Sequence, residues 1–157
     1  MSSSTIVDDN YSERWKLSNK LSLSVSTPFY LGNLRAFIDL IDYESNDGQS
    51  VDFNSVNYAI GLSHRIGFTR FLAIDGGVNF GIQKIAKDIP NVTSDSIERE
   101  LFYAFLLEPG IRTKYILFYG SFEYRKIYNF ERQNLYFLGA GIRVRLFTPD
   151  KIRNFID

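Results

Sequence analysis

The chain has 157 residues, 18 Lys plus Arg balanced by 18 Asp plus Glu, and no cysteine. The length suits one domain. The charge balance argues against nucleic acid as a partner, and the lack of cysteine excludes disulfides and thiolate metal sites. No apolar run reaches the roughly 18 residues of a transmembrane helix, and the opening MSSSTIVDDN has neither the charged nor the apolar region of a signal peptide.

After a polar segment over 1–14, the chain alternates with period two, which predicts β-strands with two different faces. In 15–27, Trp15, Leu17, Leu21, Leu23 and Val25 share one face, opposite Lys16, Lys20 and a run of serines. In 33–43, Leu34, Ala36, Ile38 and Leu40 oppose Arg35 and Asp39. In 55–63, Val56, Tyr58, Ile60 and Leu62 oppose Asn57, Ala59, Gly61 and Ser63; in 71–83, Leu72, Ile74, Val78, Phe80 and Ile82 oppose Asp75, Asn79 and Gln83. In 101–112, Leu101, Tyr103, Phe105, Leu107 and Ile111 oppose Ala104, Glu108 and Arg112, with Pro109 read as a bulge because proline removes a ladder hydrogen bond. In 116–125, Ile116, Phe118, Phe122 and Tyr124 oppose Glu123 and Arg125. In 134–147, Tyr136, Leu138, Ile142, Val144 and Leu146 oppose two glycines, Arg143 and Arg145.

The charges decide which face points inward. Lys20, Arg35, Asp39, Asp75, Glu108, Arg112, Glu123, Arg125, Arg143 and Arg145 all fall on the face otherwise made of Gly, Ala, Ser and Asn. A soluble barrel would cover its exterior with long polar side chains, and the opposing face has none in mid-strand. Small residues among paired charges suit the narrow lumen of a barrel of about eight strands; the apolar face then meets lipid. The ten residues are expected to form a salt-bridged network that plugs the lumen, since an unpaired charge there is costly; an ion or proton path is the lesser alternative.

Short links (28–32, 64–70, 113–115) alternate with longer polar ones (44–54, 84–100, 126–133). Outer-membrane barrels show the same alternation, with short periplasmic turns and long outer loops, so the three long links are expected to face outside. Trp15, Phe29, Tyr30, Tyr43, Phe53, Phe68, Phe71, Tyr115, Tyr128 and Phe147 are placed to form interfacial girdles.

These strands, EPGIR at 108–112 and the closing GAGIRVRLF at 139–147 resemble the small OmpA/OmpX-like outer-membrane β-barrels over residues 15–147. The closing stretch is similar to the assembly signal of a final barrel strand, although TPDKIRNFID follows the aromatic as a periplasmic tail over 148–157. The resemblance implies an all-β, antiparallel up-and-down transmembrane barrel of eight-stranded type, of which seven strands are evident here. Since single-chain bacterial barrels have even counts, an upward strand is expected ahead of residue 15. It would come from a gene that begins upstream, with a signal peptide and a first strand, or from a partner.

No catalytic constellation, metal cluster or cofactor loop emerges. His64 is the lone histidine; it is read as lying at a short turn, and Ser63 beside it points to the opposite face, which rules out an acyl-hydrolase dyad in regular strand geometry. NVTS at 91–94 matches a glycosylation sequon by chance in a bacterial chain. DSI at 95–97 resembles a bacterial O-glycosylation pattern and marks Ser96 as a possible acceptor. The expected function is a non-enzymatic membrane anchor or accessory subunit, with outer-membrane lipid and other outer-membrane proteins as partners. The alternative is a barrel binding a small apolar ligand, and a lipid-modifying enzyme ranks third.

Overall fold

The computed structural model describes residues 15–46, 52–87, 97–128 and 133–144. Seven strands run in chain order: β1 (Trp15–Phe29), β2 (Gly32–Ser45), β3 (Phe53–Gly67), β4 (Leu72–Lys87), β5 (Ile97–Arg112), β6 (Ile116–Tyr128) and β7 (Gln133–Val144). Each pairs antiparallel with the next, giving one up-and-down sheet. The sheet is strongly curled, because side chains from strands far apart in the order touch across it, as Lys20 on β1 touches Glu123 on β6. β1 and β7 do not pair, and no Cα of one lies within 8 Å of the other.

Burial follows strand parity. Leu23 (72% exposed), Ile60 and Ile142 point outward with the other large aliphatics, whereas Asn57, Asp75 and Arg125 are buried on the concave side. The β1–β2 hairpin turns at residues 30–31, and Gly32 closes it with φ of 141°, a conformation that side-chain-bearing residues rarely adopt. Spin labels at Ile60 and Phe80 should therefore report hydrocarbon in a bilayer, while a label at Ser121 should not; lipid contact at Ser121 and none at Ile60 would invert the barrel.

The strands are 12 to 16 residues long, more than the 9–11 needed to cross a bilayer. The excess lies at the end that carries the long links, and there the pattern inverts. Ile41, Tyr43, Phe53, Ile85, Phe102, Ile127, Leu135 and Phe137 are buried inside, while Asp42, Glu44 and Asn54 are exposed on the outside. Beyond the hydrocarbon a strand is wetted from outside, so its apolar residues must turn in. This inversion corrects the loop boundaries: residues 44–45, 53–54, 84–87, 97–100, 126–128 and 133 belong to strands, and the links between strands shrink to 46–52, 88–96 and 129–132.

It also corrects the aromatic girdle. Trp15, Tyr43 and Phe53 pack together inside, with the Tyr43 and Phe53 rings stacked at 4.5 Å and Trp15 edge-on to Phe53 at 5.6 Å. Phe29, Tyr30, Phe68, Phe71, Tyr115 and Tyr128 remain exposed, and Phe147 lies outside the described residues. Trp15 and Leu17 part from the face of Leu21 because the β1–β2 register slips between Leu17 and Asn19, a bulge that moves the residues on one side of it to the other face. Conversely, Pro109 makes no bulge. Leu107 pairs with Phe122 and Gly110 with Tyr119 in one unbroken register; only the rungs at 108 and 109 drop out, where proline has no donor to give.

Candidate functional site: the charged interior

The inward faces of the strands carry charges, and the curl brings them together in two groups, one at mid-height and one toward the short turns. The first joins β1, β2 and β6. Lys20 Nζ donates to Glu123 Oε2 at 2.7 Å and sits 3.6 Å from Asp39 Oδ2. Arg125 Nη2 donates to Asp39 Oδ2 at 2.6 Å and its Nε to Glu123 Oε1 at 2.8 Å. Ser22 Oγ donates to the other Asp39 oxygen at 2.7 Å. Arg125 is 0% exposed, and its guanidinium lies 4.4 Å from the Phe102 ring centroid and 5.0 Å from that of Phe137. This group is therefore the floor on which the apolar cluster rests, with cation–π contacts joining the two.

The second group lies toward the short turns and joins β2, β3, β4, β5 and β7. Arg35 grips Glu108 with two parallel bonds, Nη1 to Oε1 at 3.1 Å and Nη2 to Oε2 at 2.5 Å. Arg143 bridges the two acids, donating from Nη2 to Glu108 Oε2 and from Nη1 to Asp75 Oδ2, both at 2.8 Å. Arg65 makes the same fork on Asp75, at 2.6 and 2.7 Å. Forked arginine–carboxylate pairs fix orientation as well as charge, so these bonds pin five strands to one another through the lumen.

Eight of the ten residues singled out in the sequence meet in these groups. Arg112 does not: it is exposed at the rim, and its Nε donates to the Arg70 carbonyl at 3.4 Å. Its parity is right, but it is the last residue of β5, below the level of the acids. Arg145, Ser96 and the tail over 148–157 lie outside the described residues. Arg65 is the residue that sequence reading missed, because 64–70 was taken as a turn; β3 instead continues to Gly67, pairing Arg65 with Asp75. Arg65 has the same parity as Ser63, so extending the alternation by one step would have found it. That extension also places His64 within the strand rather than at a turn. Ser63 is buried inside and His64 is exposed outside, so the two cannot cooperate.

No family model matches the sequence, and no curated protein is significantly similar to it. A solved structure is similar: the crystal structure of Neisserial surface protein A (NspA) superposes with a TM-score of 0.66 over 85% of this chain and 92% of that one, at 16% identity. NspA is an eight-stranded barrel. The fold is that of the small OmpA/OmpX-like outer-membrane β-barrels. Relative to NspA, one strand fewer is present among the described residues of this chain.

Proposed function

We propose that this chain is a non-enzymatic outer-membrane barrel that serves as a membrane anchor or accessory subunit of a larger outer-membrane assembly, with the links at 46–52, 88–96 and 129–132 facing outside. The observation that carries this reading is the interior. The chain's own side chains cross it, ion-paired at mid-height and apolar toward the long links, around a polar cavity of about 340 Å³. A barrel so crossed has its exterior and its edges as working surfaces. The lining also speaks against the alternative of a small apolar ligand in the lumen, since the apolar portion is packed with buried side chains and the cavity below it is lined by charges.

Two measurements test the reading. In planar bilayers the protein should show no steady conductance, because each lumen cation is held by fixed carboxylates; a large stable pore would replace the plug with a path. Purification from native membranes in mild detergent should bring down another outer-membrane protein in fixed proportion. A barrel recovered alone at every detergent concentration would overturn the subunit role.

A further inference from the structure

The open edges of β1 and β7 have a direction and a chemistry. Consecutive strands are antiparallel throughout, so β1 and β7 run the same way, and a strand seated between them must run opposite to both. A second copy of this chain cannot supply it. Copies inserted in one membrane with one orientation present only edges that run with β1 and β7, and their inner strands are already paired on both sides. Neither flank of the sequence carries the pattern for it. A spanning strand needs about 9–11 residues that alternate. In 1–14 the apolar Ile6 and Val7 are adjacent and two aspartates follow, and in 148–157 Ile152, Phe155 and Ile156 break the alternation after Pro149.

The polar cavity is lined from both edges, by Ser22 and Ser24 of β1 and Gly139 and Gly141 of β7, together with Arg35 and Glu108. Serines and glycines leave there the room that an incoming strand's inward side chains need. The charge beside it is unbalanced. Lys20 and Arg125 meet Asp39 and Glu123, two against two. Among the described residues, Arg35, Arg65 and Arg143 meet Asp75 and Glu108, three against two. Both Nη atoms of Arg35 are spent on Glu108, while its Nε is buried with no hydrogen-bond partner. A buried donor left unsatisfied on a charged group is costly, and an incoming acceptor removes that cost.

We propose that another outer-membrane protein inserts a single β-strand between β1 and β7, antiparallel to both and apolar outward, with an Asp or Glu on its inward face that accepts from Arg35 Nε. This rests on the subunit reading above and names the contact through which the subunit joins. The added carboxylate brings the second charged group to three against three, and the added backbone satisfies both edges at bilayer depth.

The test places the photo-cross-linking residue p-benzoylphenylalanine at Leu23 on β1 or Leu138 on β7 of the full chain, expressed in its native host. Both positions are exposed beside the seam, and Ile60 on β3, exposed away from it, is the control. Irradiation should give the same adduct from both seam sites and none from Ile60. The attached peptide should come from another polypeptide, alternate apolar and polar residues over about 9–11 positions, and carry an acid on its polar face. Changing that acid to its amide in the partner should lower the adduct yield at least about tenfold, the factor carried by a hydrogen bond to a charged group. Arg35→Gln should abolish the difference between acid and amide. The peptide's sequence decides the matter even where Arg35→Gln does not fold. A peptide encoded upstream of this chain's own β1, a direct link between β1 and β7, or a strand with no inward acid would overturn the proposal. If a partner co-purifies but cross-links at Ile60 alone or nowhere, the subunit role stands and the seam contact fails. If no partner co-purifies, both fail together.

Discussion

Replacing Arg125 with alanine should lower the unfolding free energy by about 3–5 kcal/mol, the usual consequence of removing one partner from a buried ion pair. Arg125 bonds to both Asp39 and Glu123, so its loss leaves two buried carboxylates to share Lys20. It also takes away the cation that faces the Phe102 and Phe137 rings. Glu108→Ala should be comparably severe, since it strands Arg35 and deprives Arg143 of one of its two acids. Arg112→Ala, at the exposed rim, should change stability by no more than about 0.5 kcal/mol. Urea unfolding in detergent micelles gives all three values. Trp15, the single tryptophan, reports directly on the inner apolar cluster against which it packs. If Arg125→Ala and Arg112→Ala prove equally mild, the interior pairs do not hold the barrel together.

The second expected result concerns the seam. β1 and β7 run in the same direction, since every intervening pairing is antiparallel and there are six of them. They therefore cannot close on each other with the antiparallel pattern of the rest of the sheet. Adjacent strands lie about 4.7–4.9 Å apart, so two strands with no Cα pair within 8 Å are not neighbours in the sheet. At bilayer depth each unsatisfied backbone group costs several kcal/mol, so two open edges would exceed the roughly 5–15 kcal/mol that holds a domain folded. A further strand, running opposite to both, is expected to pair with β1 and β7 in the working protein. The chain has no native cysteine, which makes the check clean. Cysteines introduced at Ser22 and Gly139, both on the inward face, should not cross-link in the membrane-inserted protein, because a disulfide needs Cα atoms about 4.4–6.8 Å apart. Efficient cross-linking would show direct closure of a seven-stranded barrel. Hydrogen exchange supplies the positive side: amides of residues 21–25 and 138–142 should be as protected in the native membrane as those of β3.

The sequence by itself determined the strand number, the strand order and the direction of each face, because period-two alternation is a local property and a mid-strand charge has only one tolerable side when the other side is lipid. It determined as well that Lys20, Arg35, Asp39, Asp75, Glu108, Glu123, Arg125 and Arg143 would be inside. Partners were another matter. Parity states that Arg35 and Glu108 share a face, but only the curl of the sheet brings β2 against β5 and lets the fork close. Only the tertiary structure showed where the lipid-facing pattern ends. Ile41, Tyr43 and Phe53 look like more of the same membrane strand, yet they turn inward, since above the hydrocarbon water replaces lipid as the outside solvent and reverses the preference. The slip between Leu17 and Asn19 that carries Trp15 into the interior is likewise invisible in an apolar pattern that reads evenly across it. It is set by the register with β2, and register is decided by what a strand is paired with.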